Sequence, residues 1–368
     1  MSADYAKRRQ SLRALVAEQS AESGVDALLI TDLLNIRYLT GFTGSNAALL
    51  VDVSDSQAAE DNTIICTDGR YLTQVAEQVP DLRAEIDRAS ANRLLELAAG
   101  AGTLGYESHV VTVDQYRRFA DLFDGDLVRT PGRVEELRMV KDDHEVELLR
   151  EACAAADVAL ADLIGGGGIR PDRTEREVAR ELEFLMLERG ADGIAFETIV
   201  ATGANSAIPH HRPTDAVLAA GDFVKLDFGA MVGGYHSDMT RTYVLGSASD
   251  WHRDVYDLVA RSQAAGRAAL KPGMPVADVD AASRSVIEDA GFGDLFLHGL
   301  GHGVGLEIHE APGIGKAGTG TLLCGAAVTV EPGVYFSGRG GVRIEDTLVV
   351  REQDPELLTL TSKDLTVL

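Results

Sequence analysis

The sequence predicts an α/β domain over residues 1–133, followed by an α+β domain with internal two-fold pseudosymmetry over 134–368. Three observations predict it. Helix and strand signals alternate through the first third of the chain, as in a sheet layered with helices. A nine-residue apolar motif with a Gly-rich turn and a second strand occurs twice, as GDFVKLDFG…GYHSDMT at 221–240 and GAAVTVEPG…GVRIEDT at 325–347. Before each copy stand two helical stretches, the second opened by Pro171 or Pro272 and closed near Gly190 or Gly291. A repeat of about a hundred residues is too long for a solenoid unit. It fits one domain built from two diverged copies of helix, helix and β-hairpin over 142–350.

In the first domain Leu12 to Val16 lie on an opening helix. Asp26–Ile30, Asn46–Asp52 and Ile64–Thr67 read as apolar strands, Tyr71–Gln78 as a helix, and Leu104–Gly105 and Leu127–Val128 as parts of further strands. NIRYLTGFTGSN at 35–46 is rich in Gly, Thr and Asn and reads as an ordered loop. No catalytic constellation occurs here; oligomer contacts and walling one side of an active site are its expected jobs. Pro131 and Gly132 followed by a charged run mark the domain boundary. Asp142 with Glu145, and Thr174 with Glu177, have capping-box spacing, so helices are expected over about 142–164 and after 174. GGGGIRP at 165–171 ends the first of these. It is no phosphate loop, since no strand precedes it and no Gly-Lys-Ser/Thr follows.

Apolar content of 45% and charged content of 25% are ordinary for a globular protein, and the formal net charge is −24. A nucleic-acid or anionic-membrane partner needs a basic footprint that this chain lacks. Cys66, Cys153 and Cys324 are far apart in apolar contexts and read as buried free thiols of a reducing compartment. The charged N-terminal segment has no uninterrupted apolar core, and no run reaches membrane-spanning length. A cytoplasmic location is expected.

The chemistry is expected in the repeats. Asp227 matches Glu331 and Asp238 matches Glu345. Isolated ionised carboxylates inside apolar strands are strongly disfavoured, so four of them in matched positions call for a shared positive centre. The bland alternative pairs them with Arg241 and Arg343. On antiparallel strands the two acids of one hairpin could share a face within about 5 Å. Between the hairpins, HGLGHGVGLEIHE carries His298, His302 and His309; His210 and His211 precede the first hairpin. His302, between two glycines that would let the backbone approach a metal, is the expected imidazole ligand. His211 and His236 are expected to be structural. Four carboxylates and one imidazole suit two divalent ions better than a tetrahedral zinc site. Mn²⁺ is favoured, with Co²⁺ or Zn²⁺ able to occupy it. Such a pair promotes hydrolysis, and without a basic cluster for phosphates an amide is the favoured bond.

The order Asp227, Asp238, His302, Glu331, Glu345, with LDFGAMVGGYHSDMTRT, HGLGHGVGLEIHE, VEPGVYF and GVRIEDT, resembles the metallopeptidases of the pita-bread fold. YLTGFTGSNAALLV at 38–51, Arg343 and His298 resemble their proline-directed branch, the Xaa-Pro dipeptidases and Xaa-Pro aminopeptidases with a creatinase-like N-terminal domain. The resemblance implies that Asp238 and Glu345 bridge two ions, with Asp227 on one and His302 with Glu331 on the other. It implies that Glu331 accepts the water's proton and that His309 binds the substrate carbonyl. His298 lines a proline pocket, while Tyr335 and Arg343 position the rest of the substrate. Either His210 or His211 could contact the proline side; His210, directly after Pro209, is preferred. The implied protein is a homodimer acting on proline-containing peptides. Dipeptidase and aminopeptidase are not separated, and a metal-free binding module or a creatinase-like C–N hydrolase is the alternative.

Overall fold

The computed structural model describes residues 3–19, 24–53 and 58–368. They form two compact units that divide after Arg138. The first contains, in order, α1 (Tyr5–Gln19), β1 (Ala27–Ile30), α2 (Leu33–Thr40), β2 (Ala47–Asp52), β3 (Ile64–Thr67), α3 (Leu72–Gln78), β4 (Arg83–Ile86), α4 (Ser90–Leu97), β5 (Thr103–Tyr106), α5 (Val113–Leu122), β6 (Asp126–Arg129) and α6 (Arg133–Arg138). The strands make one mixed sheet in the order β4-β3-β2-β1-β5-β6. Only β2 runs against its neighbours, pairing antiparallel with both β1 and β3. Leu29, Leu50, Ile64 and Cys66 pack with Leu94, Leu95 and Phe119 of α4 and α5 into one core.

The segment expected to be a loop at 35–46 is helical in its first half. Asp32 caps α2 by accepting from Leu34 N and Asn35 N, and Gly41, at φ 81°, closes it. Start and stop residues thus outweigh the modest helix propensity of Ile36, Tyr38 and Thr40. Arg138, which ends α6, is buried and donates from Nη1 to Asn35 Oδ1 at 2.9 Å.

The second unit repeats one plan. Its first half has α7 (Asp143–Gly165), α8 (Glu175–Glu188), β7 (Gly193–Ile194), β8 (Ile199–Thr202), β9 (Phe223–Phe228), β10 (Ala230–Val232), β11 (Tyr235–His236) and β12 (Met239–Val244). Its second half has α9 (Asp250–Ala268), α10 (Val276–Asp289), β13 (Gly301–Gly303), β14 (Glu310–Ile314), β15 (Ala327–Val330), β16 (Gly333–Phe336), β17 (Gly340–Arg343), β18 (Asp346–Val349) and β19 (Glu356–Leu357). Both expected capping boxes form, at Asp142–Glu145 and Thr174–Glu177. The halves agree in small features too. The residue before the second helix makes an isolated bridge in each, Thr174 with Val217 and Pro275 with Thr321. Gly221 and Gly325 open the hairpins at φ 91° and 90°, where a glycine is needed.

Each hairpin breaks midway. β9 pairs with β12, and β10 with β11 in a separate sheet; β15 pairs with β18, and β16 with β17 in another. The causes are local. A Cβ on Gly229 would meet Ser237 O at 1.8 Å, so only glycine lets the chain cross there. Pro332 has no N–H to continue the ladder past Glu331. Apolar residues of α7 and α8 form one core with β8–β12, and those of α9 and α10 a second with β15–β18. Among the described residues, no helix is long and apolar enough to cross a membrane. Cys66 and Cys153 are buried as expected. Cys324 is exposed, because Leu322 takes the core position beside it and turns Leu323 and Cys324 outward.

Candidate metal centre

The breaks in the hairpins carry the acids. Asp238 precedes β12, Glu331 follows β15 and Glu345 precedes β18, while Asp227 lies on β9 opposite Thr240. Asp227 and Asp238 are therefore not direct cross-strand partners; the break offsets them. His302 reaches the same place from β13. One ligand atom each of Asp238, His302 and Glu345 lies within 4.8 Å of the others. His302 Nε2 is 3.5 Å from Asp238 Oδ2 and 3.4 Å from Glu331 Oε1. Asp227 acts electrostatically on Asp238, Glu331 and Glu345 alike.

The glycines beside His302 have a different use from the one expected. A Cβ on Gly301 would meet Thr329 O at 2.0 Å, and one on Gly303 would meet Ala311 O at 2.1 Å. They let β13 fit between β14 and β15, and so carry the imidazole to the acids.

The donor set fits divalent cations on three counts. His302 Nδ1 donates to Gly303 O at 3.0 Å, which leaves Nε2 an acceptor facing carboxylate oxygens; such acceptors need a proton or a cation between them. Asp227 Oδ2 is held by Arg343, while its buried Oδ1 lacks a hydrogen-bond partner. Burial, with Glu345 and the other carboxylates adding to it, holds Asp238 well above the usual carboxylate range. Burial and then Glu331 do the same to Glu345. Burial pushes Glu331 up to about 8 and His302 down to about 4. The hairpins also brace each other's acids: Thr240 Oγ1 donates to Glu345 Oε2 at 2.6 Å, and Thr347 Oγ1 to Asp238 O at 2.8 Å.

A second group adjoins the acids. Tyr335 OH donates to His298 Nε2 at 2.8 Å, since His298 Nδ1 is occupied by Gly299 O at 2.8 Å. Burial, then the Arg343 charge, push His298 down to about 3, so its ring stays neutral. Arg343 donates from Nε to Thr240 Oγ1, from Nη1 to Pro209 O and Tyr335 OH, and from Nη2 to Asp227. One of its five N–H groups remains. His309 is exposed and stands edge-on to His302, ring centres 4.4 Å apart. The histidine doublet separates: His211 is buried with Nε2 2.7 Å from Glu175 Oε2, whereas His210 is exposed and close enough to oppose protonation of His298. His236 Nδ1 lies 3.0 Å from Gly305 O. Arg241 pairs with the Asp346 carboxylate and reaches the clustered acids only at the backbone oxygen of Glu345. Sequence reasoning missed Lys225, Glu175 and Thr329. For Lys225 a signal existed, a single cation inside the apolar run FVKLDF.

A duplicated α+β domain whose hairpins and one intervening strand converge four carboxylates and an imidazole has the construction of a divalent-metal hydrolase. Residues 147–352 match the model of metallopeptidase family M24, and residues 8–140 that of the creatinase/prolidase N-terminal domain. The uncharacterized peptidase YqhT of Bacillus subtilis (strain 168) is 40% identical over 352 residues, covering 94% of this chain and 96% of the relative. The solved Xaa-Pro dipeptidase from Bacillus anthracis superposes with a TM-score of 0.92 at 36% identity, covering 99% of this chain and 100% of that one. The X-Pro aminopeptidase from Thermotoga maritima MSB8 gives 0.87 at 32% identity, covering 98% and 99%. The chain belongs to metallopeptidase family M24, with a pita-bread catalytic domain behind a creatinase-type N-terminal domain.

Proposed function

We propose that this enzyme is a dinuclear-metal exopeptidase that hydrolyses Xaa-Pro bonds, at the N-terminus of short peptides or in Xaa-Pro dipeptides. The observation that carries the proposal is the buried acceptor cluster of Asp227, Asp238, Glu331, Glu345 and His302 beside the aromatic group of Phe296, His298 and Tyr335. The Xaa-Pro peptidases among its relatives support the same reading.

Asp238 and Glu345 would bridge two cations, Asp227 would hold one of them, and His302 with Glu331 the other. Bound there, divalent ions, Mn²⁺ by preference, supply Lewis acidity and a water activated at neutral pH. Glu331 takes the proton of the attacking water. His309 is exposed beside the acids and donates to the oxygen of the scissile carbonyl as charge develops on it. An Xaa-Pro bond is a tertiary amide without an N–H, so recognition falls on the ring. A neutral His298, backed edge-on by Phe296 at 5.2 Å and beside Tyr335 at 5.6 Å, presents an aromatic wall to it. His210 closes the pocket from the other side. Tyr335 and the remaining Arg343 N–H orient the substrate's C-terminal portion. The working form is a cytoplasmic homodimer.

The test is a peptide panel after chelator treatment and readdition of Mn²⁺, Co²⁺ or Zn²⁺. An Xaa-Pro dipeptide, an Xaa-Pro tripeptide and an Xaa-Ala dipeptide are compared. Metal-dependent cleavage of Xaa-Pro alone is expected; metal-independent turnover, or a preference for Xaa-Ala, overturns the proposal. Activity on the dipeptide but not the tripeptide makes the enzyme a dipeptidase.

A further inference from the structure

Lys225 lies on β9 two residues before Asp227, on the same face of the strand. It is completely buried. Its Nζ donates to Ile208 O at 2.7 Å and to Pro209 O at 3.3 Å, and stands 5.2 Å from the centre of the Tyr335 ring. Burial, with the Arg343 charge adding to it, holds its pKa well below the ordinary lysine value, and the N–H groups of its amine go to the two carbonyls. An apolar side chain of the same length would fill this place without burying a polar group. The amine is explained by what it holds.

What it holds is the approach to His210. The segment from Thr202 to Thr214 leaves the sheet at the end of β8, and it is pinned from two sides. On one side Glu175, completely buried at the start of α8, accepts from Thr202 N, Asn205 Nδ2, His211 Nε2 and Thr214 N at 2.7–2.9 Å. On the other, the carbonyl of Pro209 receives both Lys225 and Arg343. His210 thus sits between a carbonyl fixed by Lys225 and Arg343 and a neighbour fixed by a carboxylate. The same Nζ stands over the ring of Tyr335, whose hydroxyl holds His298.

We propose that Lys225 is a positioning residue of the substrate pocket. It gathers the Ile208 and Pro209 carbonyls and the Tyr335 ring onto one amine, and so sets the separation between His210 on one wall and His298 with Tyr335 on the other. Its effect on catalysis rests on the reading of those walls as the proline pocket; its effect on the backbone at 208–210 does not.

Lys225→Met keeps the length and the apolar stem and removes every donor. The metal-loaded variant is expected to retain its metal content and its melting temperature. Its KM for an Xaa-Pro dipeptide should rise roughly 10- to 100-fold, the scale of a misplacement near 1 Å, with kcat changed less. Its crystal structure should show residues 208–210 displaced relative to the wild type. Lys225→Gln, which keeps a neutral donor, should recover part of the loss in KM and keep the backbone nearer its place. A wild-type KM with an unmoved 208–210 backbone in Lys225→Met overturns the proposal. So does loss of metal and a lowered melting temperature in both variants, which would leave Lys225 a structural residue only. If the wild type cleaves no Xaa-Pro peptide yet 208–210 moves in Lys225→Met, the substrate reading falls and the positioning stands.

Discussion

Stripping the metal should make the protein's stability fall as pH rises above neutrality. A carboxyl whose pKa is higher folded than unfolded binds more protons when folded, so stability drops as pH climbs through the interval. Glu331 titrates at about 8 in the folded chain against an ordinary 4.5, and Asp238 and Glu345 are raised as well. The two histidines act oppositely. With folded values near 3 for His298 and 4 for His302 against 6.5, they add stability as pH rises toward 6.5 and nothing further beyond it. The histidines drop out above pH 6.5, while burial also holds Lys225 below the ordinary lysine value and works against the acids, so the window from pH 6.5 to 8 reads their net effect. Across it Glu331 alone contributes roughly 1.5 pH units at about 1.4 kcal/mol each, or about 2 kcal/mol. For a domain of this size that is a fall of about 4–8 °C in melting temperature, and Asp238 and Glu345 add to it with the same sign. Cations would replace those protons, so the loaded protein should be nearly level over the same window. Thermal melts of chelated and Mn²⁺-loaded protein at pH 6.5, 7.25 and 8 measure both slopes. A chelated protein whose melting temperature holds or climbs from pH 6.5 to 8 would refute the claim that burial and the neighbouring acids keep these carboxyls protonated.

Two further outcomes concern individual side chains. Glu345→Ala removes one of the clustered carboxylates and leaves the Thr240 hydroxyl without its acceptor, so metal content and turnover should both collapse. His309→Ala should keep the metal and lose about 10²-fold or more in kcat; elemental analysis beside peptide hydrolysis separates the two, and metal loss in His309→Ala would make that histidine a ligand. The adjacent histidines should part company. His211→Ala leaves the buried Glu175 short of a partner and should cost about 1–3 kcal/mol of stability by denaturant melts, whereas His210→Ala should melt like the wild type and lose turnover on Xaa-Pro peptides. An equal stability loss in both would count against the separate roles given to them.

The catalytic half was legible because burying an acid is expensive. Four carboxylates in apolar strands, at matched places in two copies, have few bland explanations, and the structure brings them together with His302. Cap residues are equally informative, as at Asp142 and Thr174. At 35–46 the Gly and Thr content points to a loop, but Asp32 and Gly41 bound a helix inside it. Thr112 and Gln115 form a capping box of the same kind at the start of α5, while the exposed edge strand β4 carries no apolar run. Other features lie beyond sequence patterning. Nothing in the doublet at 210–211 announces that Glu175, 36 residues away, takes the second histidine. The break in each hairpin comes from a backbone crossing at Gly229 and from a missing N–H at Pro332, and it shifts Asp238 off the rung opposite Asp227. Cys324 faces water because Leu322 claims the interior first.

The crossed threonines have a corollary. Thr240 serves the Glu345 carboxylate of the later hairpin and Thr347 the Asp238 backbone of the earlier, so neither repeat braces its own acids. A chain of one such repeat would gather these acids only by meeting its own twin; two copies on one chain make that encounter intramolecular and let one carry aspartates and the other glutamates.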